Sequence, residues 1–103
     1  MLSSEEIALR HALDTQLARI DGLLERVPPI EVADDTELLV AGAVVDRVAE
    51  ELSALEATAR SLEALAGCTV KALELAASCH IAVEAARVAI TLTKAMIDHR
   101  AAA

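Results

Sequence analysis

Residues 70–97 read VKALELAASCHIAVEAARVAITLTKAMI, and this stretch decides the fold. Only five of its 28 residues carry a formal charge, and most of the others are Ala, Val, Leu or Ile. A helix this apolar has to be covered on most of its circumference by other helices. The stretch therefore predicts a helical bundle in which this segment is the most buried helix.

The composition of the whole chain agrees with a helical bundle. Its 103 residues have the size of one domain. They include 23 alanines and no aromatic residue. Close-packed helices with small side chains at their contacts fit this composition, whereas a β-sandwich without Tyr, Phe or Trp does not. We predict a single all-α domain over residues 1–103.

The N-terminal segment has the pattern of an amphipathic helix. Ser3-Ser4-Glu5-Glu6 is a capping-box signature, in which Ser3 is the N-cap and the carboxylate of Glu6 returns to the Ser3 amide. Apolar residues then recur at alternating three- and four-residue spacing as far as Val27. Pro28-Pro29 ends the pattern, because a residue before proline is disfavoured in the α region. Helix 1 is predicted over residues 4–27.

The second segment begins with another capping box, from Asp34 to Glu37. Apolar residues recur at three-four spacing from Leu38 to Ala66, which is four heptads of a coiled-coil-like seam. Helix 2 is predicted over residues 35–66. Within it, Ala41-Gly42-Ala43 is a patch of small side chains that another helix could approach closely.

Gly67 leaves two arrangements open. Glycine is a common residue just past a helix end, which favours a hairpin and a helix 3 over residues 69–100. If Gly67 is instead tolerated inside a helix, helices 2 and 3 fuse into one rod about 100 Å long. The hairpin is favoured, and it gives a three-helix up-down-up antiparallel bundle with long helices 2 and 3.

Dimerisation is expected to complete this bundle. The polar positions of helix 3 change sides between Ser78 and His80, which indicates two sets of neighbours. The shorter helix 1 is expected to leave a two-helix tip near Gly67 that carries Leu62, Leu65, Val70 and Leu73. A second copy would cover this tip and the broad apolar face of helix 3. The predicted interface residues are Leu52, Leu55, Leu62, Leu65, Val70, Leu73, Ile81, Val83, Val88, Ile90, Leu92 and Met96.

Charge excludes some classes of partner. The net charge is −8, and residues 28–66 carry nine acids and two bases. Such a segment repels phosphate, and no aromatic side chain is present to stack on a base, so no nucleic acid is expected as a partner. The sequence Met1–Glu6 lacks the features of a signal peptide. Charged residues are expected to interrupt every apolar tract short of a membrane span.

The two cysteines indicate a reducing compartment. Within one helix, Cys68 and Cys79 would lie roughly 16 Å apart along the axis, beyond the reach of a disulfide. Reduced thiols and a cytoplasmic location are therefore expected. Cys68 could lie at the start of helix 3, where the helix dipole would favour a reactive thiolate.

Cys79, His80 and Glu84 form the most suggestive group for chemistry. His80 and Glu84 are four residues apart and share a helix face, so they could hold a metal. No Glu-x-x-His motif of the carboxylate-bridged bundles is present, and Cys79 points about 100° away from His80. The favoured interpretation is that Cys79 is a small core residue, and that His80 and Glu84 are polar residues facing solvent or an interface.

No other motif points to catalysis. His11 and His80 lack the lysine that follows three residues after the histidine of phosphotransfer helices, since Asp14 and Val83 stand there. The chain has no phosphate-binding loop, nucleophile elbow or zinc spacing.

We expect no cofactor, no metal and no enzymatic activity. The expected function is a helical interaction module, an adaptor, chaperone or assembly subunit, that binds itself or another helical protein. The alternative is a small metal-binding bundle or enzyme that uses His80, Glu84 and Cys79.

Overall fold

The computed structural model describes residues 3–102. Over this range the chain forms α1 (Ser4–Leu24), a short 3-10 helix (Ile30–Val32), α2 (Asp35–Glu63) and α3 (Val70–Ala102). The three long helices pack in up-down-up order into an elongated bundle of 56 × 18 × 15 Å. The predicted all-α three-helix fold is confirmed.

The start of α1 forms half of the predicted capping box. The Ser3 hydroxyl accepts a hydrogen bond from the Glu6 amide at 3.1 Å, so Ser3 is the N-cap as expected. The Glu6 carboxylate instead accepts hydrogen bonds from the Thr69 amide at 2.8 Å and the Thr69 hydroxyl at 3.1 Å. Glu6 is 1% exposed, so it is a buried link between the start of α1 and the start of α3.

The end of α1 comes earlier than predicted, at Leu24 rather than at residue 27. The amides of Arg26 and Val27 donate to carbonyls three residues back, at Leu23 and Leu24. This tighter turn replaces the last α-helical turn, since the prolines that follow cannot continue a helix.

The turn between α2 and α3 is the predicted hairpin. Gly67 has a φ of +71°, a conformation that glycine adopts without steric cost, and α2 has already ended at Glu63. Thr69 is the residue that caps α3, because its hydroxyl accepts the Ala72 amide at 3.2 Å. The fused rod is therefore excluded. The capping box from Asp34 to Glu37 at the start of α2 is complete, as predicted.

The main core lies between the seam of α2 and one face each of α1 and α3. The α3 side chains in this core are small, and they let α3 pack close to its neighbours. The buried members are Leu13 and Ile20 of α1, Val48, Leu52, Leu55, Ala59 and Leu62 of α2, and Ala72, Ala76, Cys79 and Val83 of α3.

The position of α1 along the bundle differs from the predicted one. The bond between Glu6 and Thr69 places the start of α1 at the Gly67 end. Leu62 is consequently 0% exposed and Leu65 is half-buried, so the expected uncovered tip at this end does not exist. The two-helix part lies at the opposite end, where α2 begins and α3 ends.

The connector between α1 and α2 closes that opposite end. It forms a second, smaller core of Ile30, Ala33, Leu38 and Ala41, with Val27 and Ile97 packed against it. Arg100 holds the connector from α3: its Nε donates to the carbonyl of Ile30 at 3.2 Å, and its Nη2 donates to the carbonyl of Ala33. α3 ends at Ala102, two residues past the predicted end at residue 100.

Replacing Gly42 by alanine is expected to stabilise the chain. A Cβ atom at Gly42 would meet no heavy atom of a neighbouring segment within 4 Å, so the small-residue patch of α2 is not a close helix crossing within the chain. Alanine is favoured over glycine inside a helix by about 0.5–1 kcal/mol. In urea unfolding, the free energy of unfolding of Gly42→Ala should be higher than that of the unmodified chain by about this amount. The free energy of unfolding of Gly67→Ala should be lower, because alanine is strained at the positive φ of this position. A loss in Gly42→Ala would contradict the open environment of this site.

Candidate interaction surface

Helix α3 is apolar on two opposite faces. One face enters the core described above. At 100° per residue, nine apolar residues fall within a sector of about 140° on the other side of the helix, which also contains Glu74 and Glu84. All nine are exposed, and we call them the outer face: Val70, Leu73, Ala77, Ile81, Ala85, Val88, Leu92, Ala95 and Met96.

The outer face is large for a monomer. Val70 and Ile81 are each 71% exposed, and Val88 and Leu92 are each 62% exposed. Single exposed apolar residues are ordinary on protein surfaces, but a contiguous patch is not. Because its members run from Val70 to Met96 on α3, this patch is about 40 Å long.

Three side-chain pairs join α2 to α3 along one flank of the outer face. On α3 the paired residues are seven apart, which keeps them on one side of the helix. The pairs are His80 with Glu63, Arg87 with Glu56 at 3.0 Å, and Lys94 with Asp46 at 2.8 Å. The polar row formed by His80, Arg87 and Lys94 therefore lies along α2. The buried face of α3 continues from Ala72 to Val83 and on to the packed Ile90, so the buried side of the helix does not change. Its neighbours do change, because Ile97 packs against the smaller core at the connector.

The structure divides the predicted interface residues into three groups. Leu52, Leu55, Leu62 and Val83 are buried in the core of the chain itself, so no partner can reach them in the folded protein, which corrects that assignment. Leu65 and Ile90 are half-buried and pack against this core. The six exposed members are Val70, Leu73, Ile81, Val88, Leu92 and Met96, and all six belong to the outer face.

Cys79, His80 and Glu84 are not brought together as a ligand set. Over residues 3–102, no group of three or more His, Cys, Asp or Glu side chains is placed to hold a metal ion. Cys79 is 3% exposed and faces the core, whereas His80 pairs with Glu63. Burial raises the pKa of the Cys79 thiol, and the nearby charge of Asp14 raises it further. The thiol therefore stays protonated at neutral pH.

The two cysteines are expected to differ in reactivity, because the thiolate is the nucleophile. At pH 8, iodoacetamide should modify the half-buried Cys68 first and Cys79 only after unfolding, as followed by peptide mass spectrometry. The raised pKa also has a consequence for stability. The contribution of Cys79 is complete below the ordinary thiol pKa of 9.0 and is lost as pH rises through the higher folded-state pKa. Equal alkylation rates for the two thiols would contradict this account.

The hydropathy of α3 can be compared with that of a membrane-spanning helix. By length and composition alone, Val70–Ala102 is long and apolar enough to cross a membrane, so Glu84 and Arg87 do not interrupt the tract as expected from the sequence. Only 17% of its most apolar 18-residue stretch is buried. The bundle itself thus accounts for a small part of this hydropathy.

A shallow apolar cleft opens beside α3 where α1 stops. Its volume is about 170 Å³, and it has no titratable side chain. Its chemistry therefore suits an inserted apolar side chain rather than a reaction. The lining residues are Leu24, Val27, Val45, Val48, Ala86, Ala89, Ile90 and Thr93.

Comparison of the chain with protein-family models, with curated proteins and with solved structures found no match. The functional inference therefore rests on the outer face and on the charges around it.

Proposed function

We propose that this protein is a non-enzymatic helical interaction module whose outer face binds a second copy or a partner helix. The observation that carries the proposal is the row of exposed apolar side chains on α3 from Val70 to Met96. Contiguous apolar patches of this kind mark interaction sites on soluble proteins. Adaptors, chaperones and assembly subunits use such surfaces.

The contrast between α2 and α3 supports the same proposal. The seam of α2 is covered within the chain, and its core positions from Leu38 to Leu62 are buried. The corresponding residues of the outer face have no such cover. A helix that places large aliphatic side chains on the side away from its own core needs a second set of neighbours.

The charge distribution supports α3 as the side of approach. Residues 67–103 contain three acids and four bases, whereas residues 28–66 contain nine acids and two bases. A partner that approaches α3, including another acidic copy, meets little like-charge repulsion. The acidic segment keeps the assembly soluble.

Cysteine labelling tests the proposal. In a Cys68→Ser, Cys79→Ala background, a single cysteine is placed at Val88 on the outer face or at Ala57, an exposed position of α2. Maleimide labelling is timed at low and high protein concentration and in extract of the native host. We expect protection of the cysteine at Val88 at high concentration or in extract, and no change at Ala57. Equal and constant labelling of both positions would contradict the proposal.

A further inference from the structure

We infer that the occupant of the outer face is the outer face of a second copy of this chain, packed antiparallel in one defined register. This inference rests on the proposed function and adds to it the identity of the partner and the geometry of the contact. Spacing, charge and area on α3 carry it.

The centre of the outer face has the spacing of a coiled-coil seam. Ile81, Ala85, Val88, Leu92 and Ala95 follow each other at intervals of four, three, four and three residues, and all five are exposed. The same spacing continues to Ser78 and Glu74 in one direction and to His99 in the other. The apolar seam is therefore flanked by an acidic residue at one end and a histidine at the other.

An antiparallel register pairs most of these positions with complementary residues. With the two-fold axis passing between Ala86 and Arg87, Ile81 lies opposite the partner's Leu92, and Ala85 lies opposite the partner's Val88. The same register sets Glu74 opposite the partner's His99. Two-fold symmetry repeats each pair, so both ends of the contact gain an acid–histidine pair. Large aliphatic side chains meet in the middle of each half, Ala85 is matched by the partner's Val88, and Ala95 lies opposite the partner's Ser78.

A parallel register is worse on the same residues. Each residue would then face its own copy, so Glu74 would meet the partner's Glu74 and Ala85 would meet the partner's Ala85. The first contact brings like charges together in the seam, and the second leaves a gap. Parallel helices would also align their dipoles unfavourably.

The area of the outer face suits a weak, concentration-dependent dimer. A face about 40 Å long and about 10 Å wide covers on the order of 400 Å² on each copy. Two such faces bury about 800 Å² in total, which is in the range of weak, transient interfaces.

A lipid surface fits the flanks of α3 less well than a second copy does. Helices that lie in a membrane interface flank their apolar face with lysine or arginine and often use aromatic anchors. On α3, Arg87 and Lys94 are paired with carboxylates of α2, and the chain has no aromatic residue.

Mixed cysteine variants test the register. Ile81→Cys and Leu92→Cys are made separately in the Cys68→Ser, Cys79→Ala background. Under mild oxidation, neither variant alone should form a covalent dimer, whereas their mixture should, because the opposed pair lies within disulfide reach only between unlike copies. A mixture of Ala57→Cys with Leu92→Cys is the matched control and should remain monomeric on non-reducing gels.

Each other outcome overturns the inference. A covalent dimer of Ile81→Cys alone would show parallel packing and would leave the proposed function in place. A lack of cross-linking, together with a monomeric mass at every concentration, would exclude the second copy. Protection of the cysteine at Val88 in host extract would then decide the proposed function separately. Flotation of the background protein with phosphatidylserine vesicles, with no cross-link in solution, would assign the outer face to a membrane surface instead.

Discussion

Leu92→Asp is expected to convert the proposed dimer of this chain into a folded monomer. Leu92 is 62% exposed in the single chain, so aspartate at this position remains hydrated when the chain is alone. In the dimer it would bury an unpaired carboxylate against the partner's Ile81, once in each copy. An uncompensated buried charge costs at least about 3 kcal/mol, and each 1.4 kcal/mol is tenfold in the dissociation constant. The dissociation constant should therefore rise by more than about 100-fold, measured by light scattering over a dilution series.

Leu39→Asp provides a matched control. Leu39 is 76% exposed on α2 and lies outside the outer face, so the same chemical change should leave the mass of the dimer unaltered. Circular dichroism of both variants should report a cooperative melt, which separates dissociation from unfolding. An unchanged mass and melting curve for Leu92→Asp would count against the outer face as the contact.

Leu62→Ala is expected to be strongly destabilising even in the monomer. Leu62 is 0% exposed because α1 reaches the Gly67 end of the bundle. Truncation of a buried leucine to alanine removes its transfer free energy and leaves a cavity, and it typically costs 2–5 kcal/mol. In urea unfolding, Leu62→Ala in the Leu92→Asp background should have a free energy of unfolding that is lower by about this amount.

Leu73→Ala in the same background provides the comparison. Leu73 lies near the same end but is 45% exposed on the outer face, so its truncation should cost clearly less than that of Leu62. Equal losses at the two positions would mean that α1 does not cover this end. The helix pair would then have the uncovered tip that the sequence suggests.

The local features of the fold could be predicted from the sequence, but the position of the helices relative to one another along the bundle axis could not. Helix starts follow from short-range patterns, such as Ser3 with the Glu6 amide, and Gly67 marked the hairpin. The position of α1 depends on the bond from Glu6 to Thr69, which are 63 residues apart. A glutamate three residues after a serine N-cap has the pattern of a local capping box, and nothing in the pattern shows that its carboxylate is used elsewhere.

The neighbour that the charged residues of α3 face could not be predicted, for a related reason. Periodicity groups Arg87 and Lys94 on one side of the helix, but it cannot distinguish a solvent-facing row from a row that pairs with a neighbouring helix. The partners Glu56 and Asp46 lie on α2, and the antiparallel register that brings them opposite is a tertiary property. Once this row is assigned to α2, the side of α3 opposite the core is mostly apolar, and Glu74 and Glu84 are the charged residues that remain on it.

The sequence predicts part of the candidate surface. An excess of aliphatic residues on α3 predicted that some would need another partner, and the six exposed members of the predicted set do lie on the outer face. Val83 and Ile81 are both β-branched and only two residues apart, yet the first is in the core and the second is 71% exposed. A helix with two opposite apolar faces gives no sequence signal for which of them turns inward.

Sedimentation equilibrium of the unmodified chain tests the central claim most directly, because a surface that binds its own copy must appear in the mass. The chain has a mass of 10.8 kDa. We predict a mass of twice this value at micromolar concentration, decreasing towards the monomer on dilution. A mass of 10.8 kDa throughout the micromolar range, with a cooperative melt, would contradict self-association through the outer face.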